Sequence, residues 1–144
     1  MRNPVRPGVL EVFCGPMKSG KTREAINRVD KIEYIDDHDY AFFKPSVDKR
    51  SEHIESRFGE LQVTCTRIDE DQPLVLLDEL DGESIVVIDE AQFFTDSIID
   101  VVQRLLRDER NVVISGLDLD FRGEPFGSMP GLLALADHVE KLTA

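Results

Sequence analysis

Apolar residues in this chain gather in short runs, and the runs alternate with segments whose apolar positions recur at helical spacing. The run at residues 85–88 is entirely β-branched, which is typical of a strand buried on both faces of a parallel sheet. Residues 96–107 instead place their apolar side chains on one side and predict an amphipathic helix. Further strands are predicted at about residues 8–14, 40–44, 61–66, 111–116 and 138–142, and further helices at about 22–34, 73–80 and 132–136. Strands that alternate with helices predict an α/β fold with a mainly parallel sheet.

Two longer segments have the composition of loops. Pro45 is expected to end the second strand and to open a polar, densely charged loop over residues 45–59. Residues 117–130 are rich in glycine and proline and predict a second loop, which follows a late strand. A chain of 144 residues can bury one hydrophobic core but is too short for two, so we expect a single domain over residues 1–144.

Charge and composition argue against several classes of partner. The formal net charge of −12 disfavours a general affinity for nucleic acid backbones. No apolar run approaches the ~20 residues that span a bilayer, and the N-terminal residues lack the apolar core of a signal peptide. We therefore expect no membrane partner and a cytoplasmic protein. Cys14 and Cys65 lie far apart and form no C-x-x-C pair, so they indicate neither a zinc site nor a disulfide framework.

The first chemical motif is the segment Gly15-Pro16-Met17-Lys18-Ser19-Gly20-Lys21-Thr22, which fits the phosphate-loop pattern G-x-x-x-x-G-K-[ST] at every fixed position. Its glycines let backbone N–H groups approach phosphate, Lys21 reaches the β- and γ-phosphates, and the hydroxyl of Thr22 can bind Mg²⁺. A predicted strand precedes the motif and a predicted helix follows it, as the motif requires. An ordinary glycine-rich turn would not explain Gly-Lys-Thr at the helix start.

The second motif is Asp89-Glu90, which follows the β-branched strand. Ligands of open α/β sheets bind at the carboxyl ends of the strands, so Asp89 is expected beside the phosphate loop and near Mg²⁺. Asp89 could also simply cap the strand. Glu90 could be a general base for a hydroxyl or for water, or an outward surface acid. Phe93 and Phe94 could cover a nucleobase or belong to the core.

Taken together, four motifs resemble those of the type II thymidine kinases and occur in the family order. They are Gly-Pro-Met-x-Ser-Gly-Lys-Thr, Lys-Pro-x-x-Asp-x-Arg, Asp-Glu-Ala-Gln-Phe-Phe and Gly-Leu-Asp-x-Asp-Phe-Arg-Gly-Glu-Pro-Phe. The resemblance covers about residues 8–144. It implies a P-loop NTPase fold of the RecA-like type, a mainly parallel sheet flanked by helices. It also implies phosphoryl transfer from ATP to the 5′-hydroxyl of thymidine or deoxyuridine.

The resemblance assigns roles to individual residues. Those that would bind ATP are Gly15, Pro16, Met17, Lys18, Ser19, Gly20, Lys21 and Thr22, together with Asp48 and Arg50. Thr22 and Asp89 would bind Mg²⁺, and Glu90 would be the base that takes the proton of the 5′-hydroxyl. The positions on the nucleoside side would be Met17, Gln92, Phe93, Leu117, Phe121 and Phe126.

One departure from the family pattern concerns the region after Ala144. The family continues there into a small zinc-binding segment with two pairs of cysteines and a loop that grips the thymine. Neither cysteine of this chain can replace those four, so we expect that segment to be absent and no zinc to bind. Two alternatives to the kinase stay open: a non-catalytic nucleotide-binding module, and a P-loop ATPase that activates water. The family often forms tetramers, so a homo-oligomer is also expected.

Overall fold

The computed structural model describes residues 8–16, 40–46, 52–58 and 61–143, with the backbone alone at 52–58 and 61–64. The described strands are β1 (Leu10–Cys14), β2 (Tyr40–Ser46), β3 (Glu52–Phe58), β4 (Leu61–Asp69), β5 (Ile85–Ile88), β6 (Asn111–Gly116) and β7 (His138–Lys141). The described helices are α1 (Ser97–Arg107), α2 (Met129–Leu135) and two 3₁₀ helices, Pro73–Glu79 and Ala91–Phe93. The helix predicted at residues 22–34 lies outside the described residues.

The seven described strands form one sheet in the order β3-β4-β2-β5-β6-β1-β7. Every neighbouring pair is parallel except β3 and β4, which are antiparallel. The predicted α/β class with a mainly parallel sheet is therefore confirmed. Strand β6 lies between β1, which leads into the phosphate-loop motif, and β5, which leads into Asp89. One strand inserted between these two is the arrangement expected of a RecA-like sheet.

The core forms where α1 and the 3₁₀ helix Pro73–Glu79 pack against one face of the sheet. All five apolar residues on the predicted inner side of α1 are buried: Ile98, Val101, Val102, Leu105 and Leu106. They join a cluster with every second residue of the central strands, including Val12, Ile88 and Ile114. Strand β5 is buried at all four positions, as its β-branched sequence predicted. Within the part of the chain that the structure describes, no helix is long and apolar enough to cross a membrane.

The prediction that Pro45 ends the second strand was wrong. Strand β2 continues to Ser46, and Pro45 lies opposite Ile68 of β4. The pairing of β2 with β5 stops at Phe43, however, so among the described strands the last part of β2 pairs with β4 alone. A residue that lacks an N–H donor is tolerated there, because the ladder with β5 has already ended.

The prediction of a loop over residues 45–59 was also wrong, because β2 continues to Ser46 and β3 occupies residues 52–58. Among the described strands β3 lies at the edge of the sheet, and the charged residues that suggested a loop are common on edge strands, where they discourage pairing with other chains. The sequence did hold a signal for the hairpin. Phe58 pairs with Leu61, and the two residues between them read Gly-Glu, a Gly-X pair of the kind found in tight hairpins.

The remaining elements match their predictions with shifted ends. Strand β1 begins at Leu10 rather than residue 8, and β4 extends to Asp69. The helix that opens with Pro73 is a 3₁₀ helix, and α2 begins at Met129, three residues earlier than predicted. Strand β6 has the predicted bounds, and β7 ends one residue earlier than predicted.

Candidate active site

The two chemical motifs meet at one edge of the sheet. Cys14, the last residue of β1, pairs with Gly116, the last residue of β6, and Ile88 at the end of β5 pairs with Ile114. Gly15, Asp89 and Leu117 follow these strand ends directly. The carboxyl edge of the parallel strands therefore brings the start of the phosphate-loop motif together with the carboxylate pair, as predicted.

Only the start of the phosphate-loop motif belongs to the described residues. Gly15 is buried and has a φ of 149°, a backbone conformation that favours glycine. Pro16 is exposed. The other predicted phosphate and metal residues lie outside the described residues: Met17, Lys18, Ser19, Gly20, Lys21, Thr22, Asp48 and Arg50.

Asp89 is held in one orientation by several hydrogen bonds. Its side chain is 6% exposed, and its Oδ1 accepts hydrogen bonds from the hydroxyl of Ser115 and from the backbone N–H of Glu90 at 2.9 Å. Its own backbone N–H donates to the carbonyl of Phe43 at 2.8 Å. The carboxylate is thus fixed before any ligand binds, which suits a metal ligand.

Ser115 is a site residue that the sequence analysis missed. It lies on β6, is fully buried, and donates to Asp89 across the neighbouring strand. The available signal was small: a single hydroxyl directly after the apolar run at residues 112–114. Only the strand order shows that this hydroxyl lies beside the carboxylate that follows β5.

Glu90 has an unusual backbone conformation. Its φ of 52° and ψ of 42° fall in the left-handed helical region, which residues other than glycine rarely adopt. Such conformations cost about 1–3 kcal/mol and persist where the surrounding structure imposes them, often at functional sites. The turn at Glu90 redirects the chain from β5 into the 3₁₀ helix Ala91–Phe93, and it leaves the Glu90 side chain half-buried beside Asp89.

The aromatic pair after Glu90 divides between the core and the surface. Phe94 is 2% exposed and belongs to the hydrophobic core, whereas Phe93 is 46% exposed. Phe93 contacts Phe126 edge to face, with 5.5 Å between the ring centroids. Phe94 thus belongs to the core, which is one of the two possibilities left open by the sequence, and the exposed ring of Phe93 leaves the other a prediction for that residue.

The segment 117–128, here called the hairpin loop, carries the other predicted nucleoside-side residues. Its tip is closed by Asp120, whose carboxylate accepts the backbone N–H groups of Arg122 and Glu124. These bonds, that of Glu124 first, hold the pKa of Asp120 below its usual value. Phe121 projects from this tip with 97% of its surface exposed, and the Arg122 guanidinium lies 5.6 Å from its ring centroid.

An ion pair that the sequence did not predict anchors the start of the hairpin loop. Asp118 is 9% exposed, and its Oδ2 lies 2.8 Å from Nζ of Lys141, the last residue of β7. This hydrogen bond raises the pKa of Lys141. Lys141 pairs with Cys14 across β1 and β7, so the ion pair ties the loop to the strand that precedes Gly15.

Gln92 connects the carboxylate pair to the hairpin loop. Its side chain is 4% exposed, and its Oε1 accepts the backbone N–H of Leu117 at 3.0 Å.

The described residues contain no group of three or more histidine, cysteine or acidic side chains that could hold a metal ion among themselves. Of the two residues predicted to bind Mg²⁺, Asp89 is described and Thr22 is not.

Comparison with known proteins gives a consistent result at the level of sequence. The family model for thymidine kinase matches residues 8–144. The thymidine kinase of Mycoplasma genitalium is 45% identical over 142 residues, which cover 96% of this chain and 65% of that protein. The thymidine kinase of Mycoplasmoides gallisepticum is 43% identical, with 95% and 61% covered, and that of Bacteroides thetaiotaomicron is 43% identical, with 96% and 69% covered.

The chain thus spans between 61% and 69% of the length of these three relatives. Among solved structures, the ATPase domain of the large terminase of Thermus phage P74-26 is similar over 94% of this chain and 75% of that domain. The two share 16% sequence identity and superpose with a TM-score of 0.46.

Proposed function

We propose that this chain, which belongs to the thymidine kinase family, transfers the γ-phosphoryl group of ATP to the 5′-hydroxyl of thymidine or deoxyuridine. The observation that carries the proposal is the pair formed by Asp89 and Glu90. A buried, firmly held carboxylate stands next to a second carboxylate in a strained backbone position, at the carboxyl end of β5. Phosphoryl transfer depends mainly on positioning and charge stabilisation, so two carboxylates with separate roles suit it.

Magnesium fits the donor atoms at Asp89. A carboxylate is a hard oxygen ligand, and Mg²⁺ is usually held by one or two carboxylates together with substrate phosphates and water. The hydroxyl of Thr22 is the second protein ligand by its place in the phosphate-loop motif. An ion bound there would supply positive charge that offsets the negative charge of the ATP phosphates. The bonds from Ser115 and from the Glu90 N–H keep Asp89 oriented toward this role.

The remaining assignments follow from the motifs. Residues 15–22 bind the phosphates of ATP through backbone amides and Lys21, with Arg50 near the transferred group and Asp48 near the metal. Glu90 accepts the proton of the 5′-hydroxyl, a role that general bases of this type fill with a gain of about 10²–10⁴-fold.

The nucleoside lies on the side of the hairpin loop, where Phe93, Phe121 and Phe126 offer aromatic surface, with Met17 and Leu117 beside them. The exposed fractions of Phe93 and Phe121 support this assignment, because a solvent-exposed aromatic ring is available to stack on a nucleobase. Assembly into a tetramer is part of the same proposal and rests on the family alone.

The test measures ADP release and thymidine monophosphate formation by the purified chain with Mg-ATP, with and without thymidine. Equal amounts of both products, formed only when thymidine is present, support the kinase. ADP release without nucleoside would identify an ATPase, and tight ATP binding without turnover would identify a nucleotide-binding module. Lys21→Ala is the control, because loss of the phosphate-facing ammonium should abolish ATP binding in a calorimetric titration.

A further inference from the structure

Both ends of the hairpin loop form hydrogen bonds with the 3₁₀ helix Ala91–Phe93. Near the start of the loop, the N–H of Leu117 donates to Oε1 of Gln92 at 3.0 Å. At the end of the loop, the buried hydroxyl of Ser128 donates to the carbonyl of Ala91 at 2.9 Å. The edge-to-face contact between Phe93 and Phe126 adds a third link.

Two glycines leave the space that Gln92 occupies. A Cβ at Gly116 would lie 2.7 Å from Oε1 of Gln92 and 3.0 Å from the sulfur of Met129. A Cβ at Gly127 would lie 2.3 Å from the backbone carbonyl oxygen of Gln92, and Gly127 has a φ of 51°. Gly116 at the end of β6 therefore meets the side chain of Gln92, and Gly127 in the hairpin loop meets its backbone, so a Cβ at either glycine would have to displace an atom of Gln92.

These contacts also affect the backbone conformation of Glu90, which directly precedes the helix Ala91–Phe93. A left-handed conformation at a glutamate persists only if neighbouring contacts impose it, and the helix Ala91–Phe93 continues from that residue. The bond from the Glu90 N–H to Asp89 holds one side of the turn. On the other side of the turn, the side chain of Gln92 is held by its hydrogen bond with Leu117.

We infer that Gln92 is a positioning residue that couples the hairpin loop to Glu90, and that it does not read the nucleobase. The inference rests on the proposed kinase function, since it assigns Gln92 a place in that site. When the aromatic residues of the hairpin loop contact a nucleoside, the hydrogen bond between Leu117 and Gln92 fixes the turn at Glu90, the general base. A misplacement of about 1 Å at a reacting group can lower the rate by about 10²-fold, so loss of this bond should act on kcat.

The first test compares two substitutions at Gln92. Gln92→Leu keeps the approximate shape and removes the acceptor, whereas Gln92→Glu keeps an acceptor oxygen at the same distance. Positioning predicts that Gln92→Leu lowers kcat by about 10-fold or more for thymidine and deoxyuridine alike, with their KM ratio unchanged, and that Gln92→Glu recovers part of the loss. An increase of KM confined to thymidine, at unchanged kcat, would overturn the inference, because it would show that Gln92 recognises the nucleobase. A fall in thermal stability alone, with normal kcat and KM, would also overturn it, because the residue would then only pack.

The second test reaches the same bond without changing Gln92. The Cβ added by Gly116→Ala would lie 2.7 Å from Oε1 of Gln92 and 3.0 Å from the sulfur of Met129, and both atoms belong to flexible side chains, so the variant should fold with Gln92 displaced the most. Its kcat should fall like that of Gln92→Leu, and the double variant should be no worse than either single one, since both break one interaction. Additive losses of kcat would contradict the coupling.

Hydrogen exchange keeps this inference separable from the kinase proposal. In Gln92→Leu, the amides of Leu117 and Glu90 should lose protection while those of β6 keep it. If the wild-type chain phosphorylates no nucleoside, the kinase proposal fails, and the exchange pattern still decides whether Gln92 holds Glu90. Unchanged protection at Glu90 would refute the coupling whatever the activity.

Discussion

Replacing Ser115 with alanine removes a hydrogen bond that the carboxylate of Asp89 accepts in a buried environment. Ser115 is fully buried and Asp89 is 6% exposed, so water cannot take the place of the lost hydroxyl without rearrangement. A hydrogen bond to a charged group contributes about 1.5–3 kcal/mol to stability. Since 1.4 kcal/mol is a factor of ten, the unfolding equilibrium constant should rise by about 10- to 150-fold.

Ser128→Ala is a matched control for this prediction. Ser128 is 1% exposed, and its hydroxyl donates to a neutral backbone carbonyl, that of Ala91. The same atom is deleted in both variants, but a bond between neutral groups contributes only about 0.5–1.5 kcal/mol. The difference between the two variants therefore isolates the charge of the acceptor.

The measurement is urea unfolding at neutral pH, followed by circular dichroism, for the wild type and both variants. Ser115→Ala should show the larger loss, and it should also weaken the Mg²⁺-dependent part of ATP binding in calorimetry. If Ser115→Ala destabilises the protein no more than Ser128→Ala does, then Ser115 does not hold Asp89 as a charged acceptor and the reasoning fails.

Three further predictions follow from other parts of the site. Glu90→Gln should lower phosphoryl transfer by about 10²–10⁴-fold and leave calorimetric Mg-ATP affinity unchanged, because the amide cannot accept a proton; normal turnover would place the base elsewhere. Lys141→Met should lower the urea midpoint at pH 7 by leaving buried Asp118 unpaired, and its difference from the wild type should shrink as pH rises through the raised pKa of Lys141, above the usual 10.5; a difference that stays constant at every pH above 10.5 at which the protein remains folded would contradict this. Burial raises the pKa of Cys65 to about 12, so its thiol should resist iodoacetamide at pH 8.5 in the native protein and react rapidly in urea, as mass spectrometry can show; rapid native labelling would contradict its burial.

The hydrophobic pattern of the sequence determined the elements whose own apolar residues require burial. The run Ile85–Ile88 needs cover on both faces, so no reading other than a central strand suits it. The five buried residues of α1 recur at helical spacing, and their burial follows once any sheet is present. The motif residues Asp89 and Glu90 were likewise readable, because a carboxylate pair after such a strand has a fixed place at the sheet edge.

Elements that depend on a neighbour were decided by the tertiary structure. Strand β3 has no apolar alternation to mark it, and its existence depends on pairing with β4. Pro45 fits within β2 because β5 ends beside Phe43, a fact about another segment of the chain. Local sequence carries no information about where a neighbouring strand stops, so these features could not be derived from it.

The same distinction applies within the site. That Phe94 enters the core and Phe93 stays exposed depends on the left-handed turn at Glu90, which sets the direction of the helix that follows. The contacts of Ser115 with Asp89, and of Gln92 with Leu117, each join residues about 25 positions apart. Sequence chemistry determined which groups were available, and the order of the strands decided which of them meet, because a hydrogen bond needs both partners within about 3 Å.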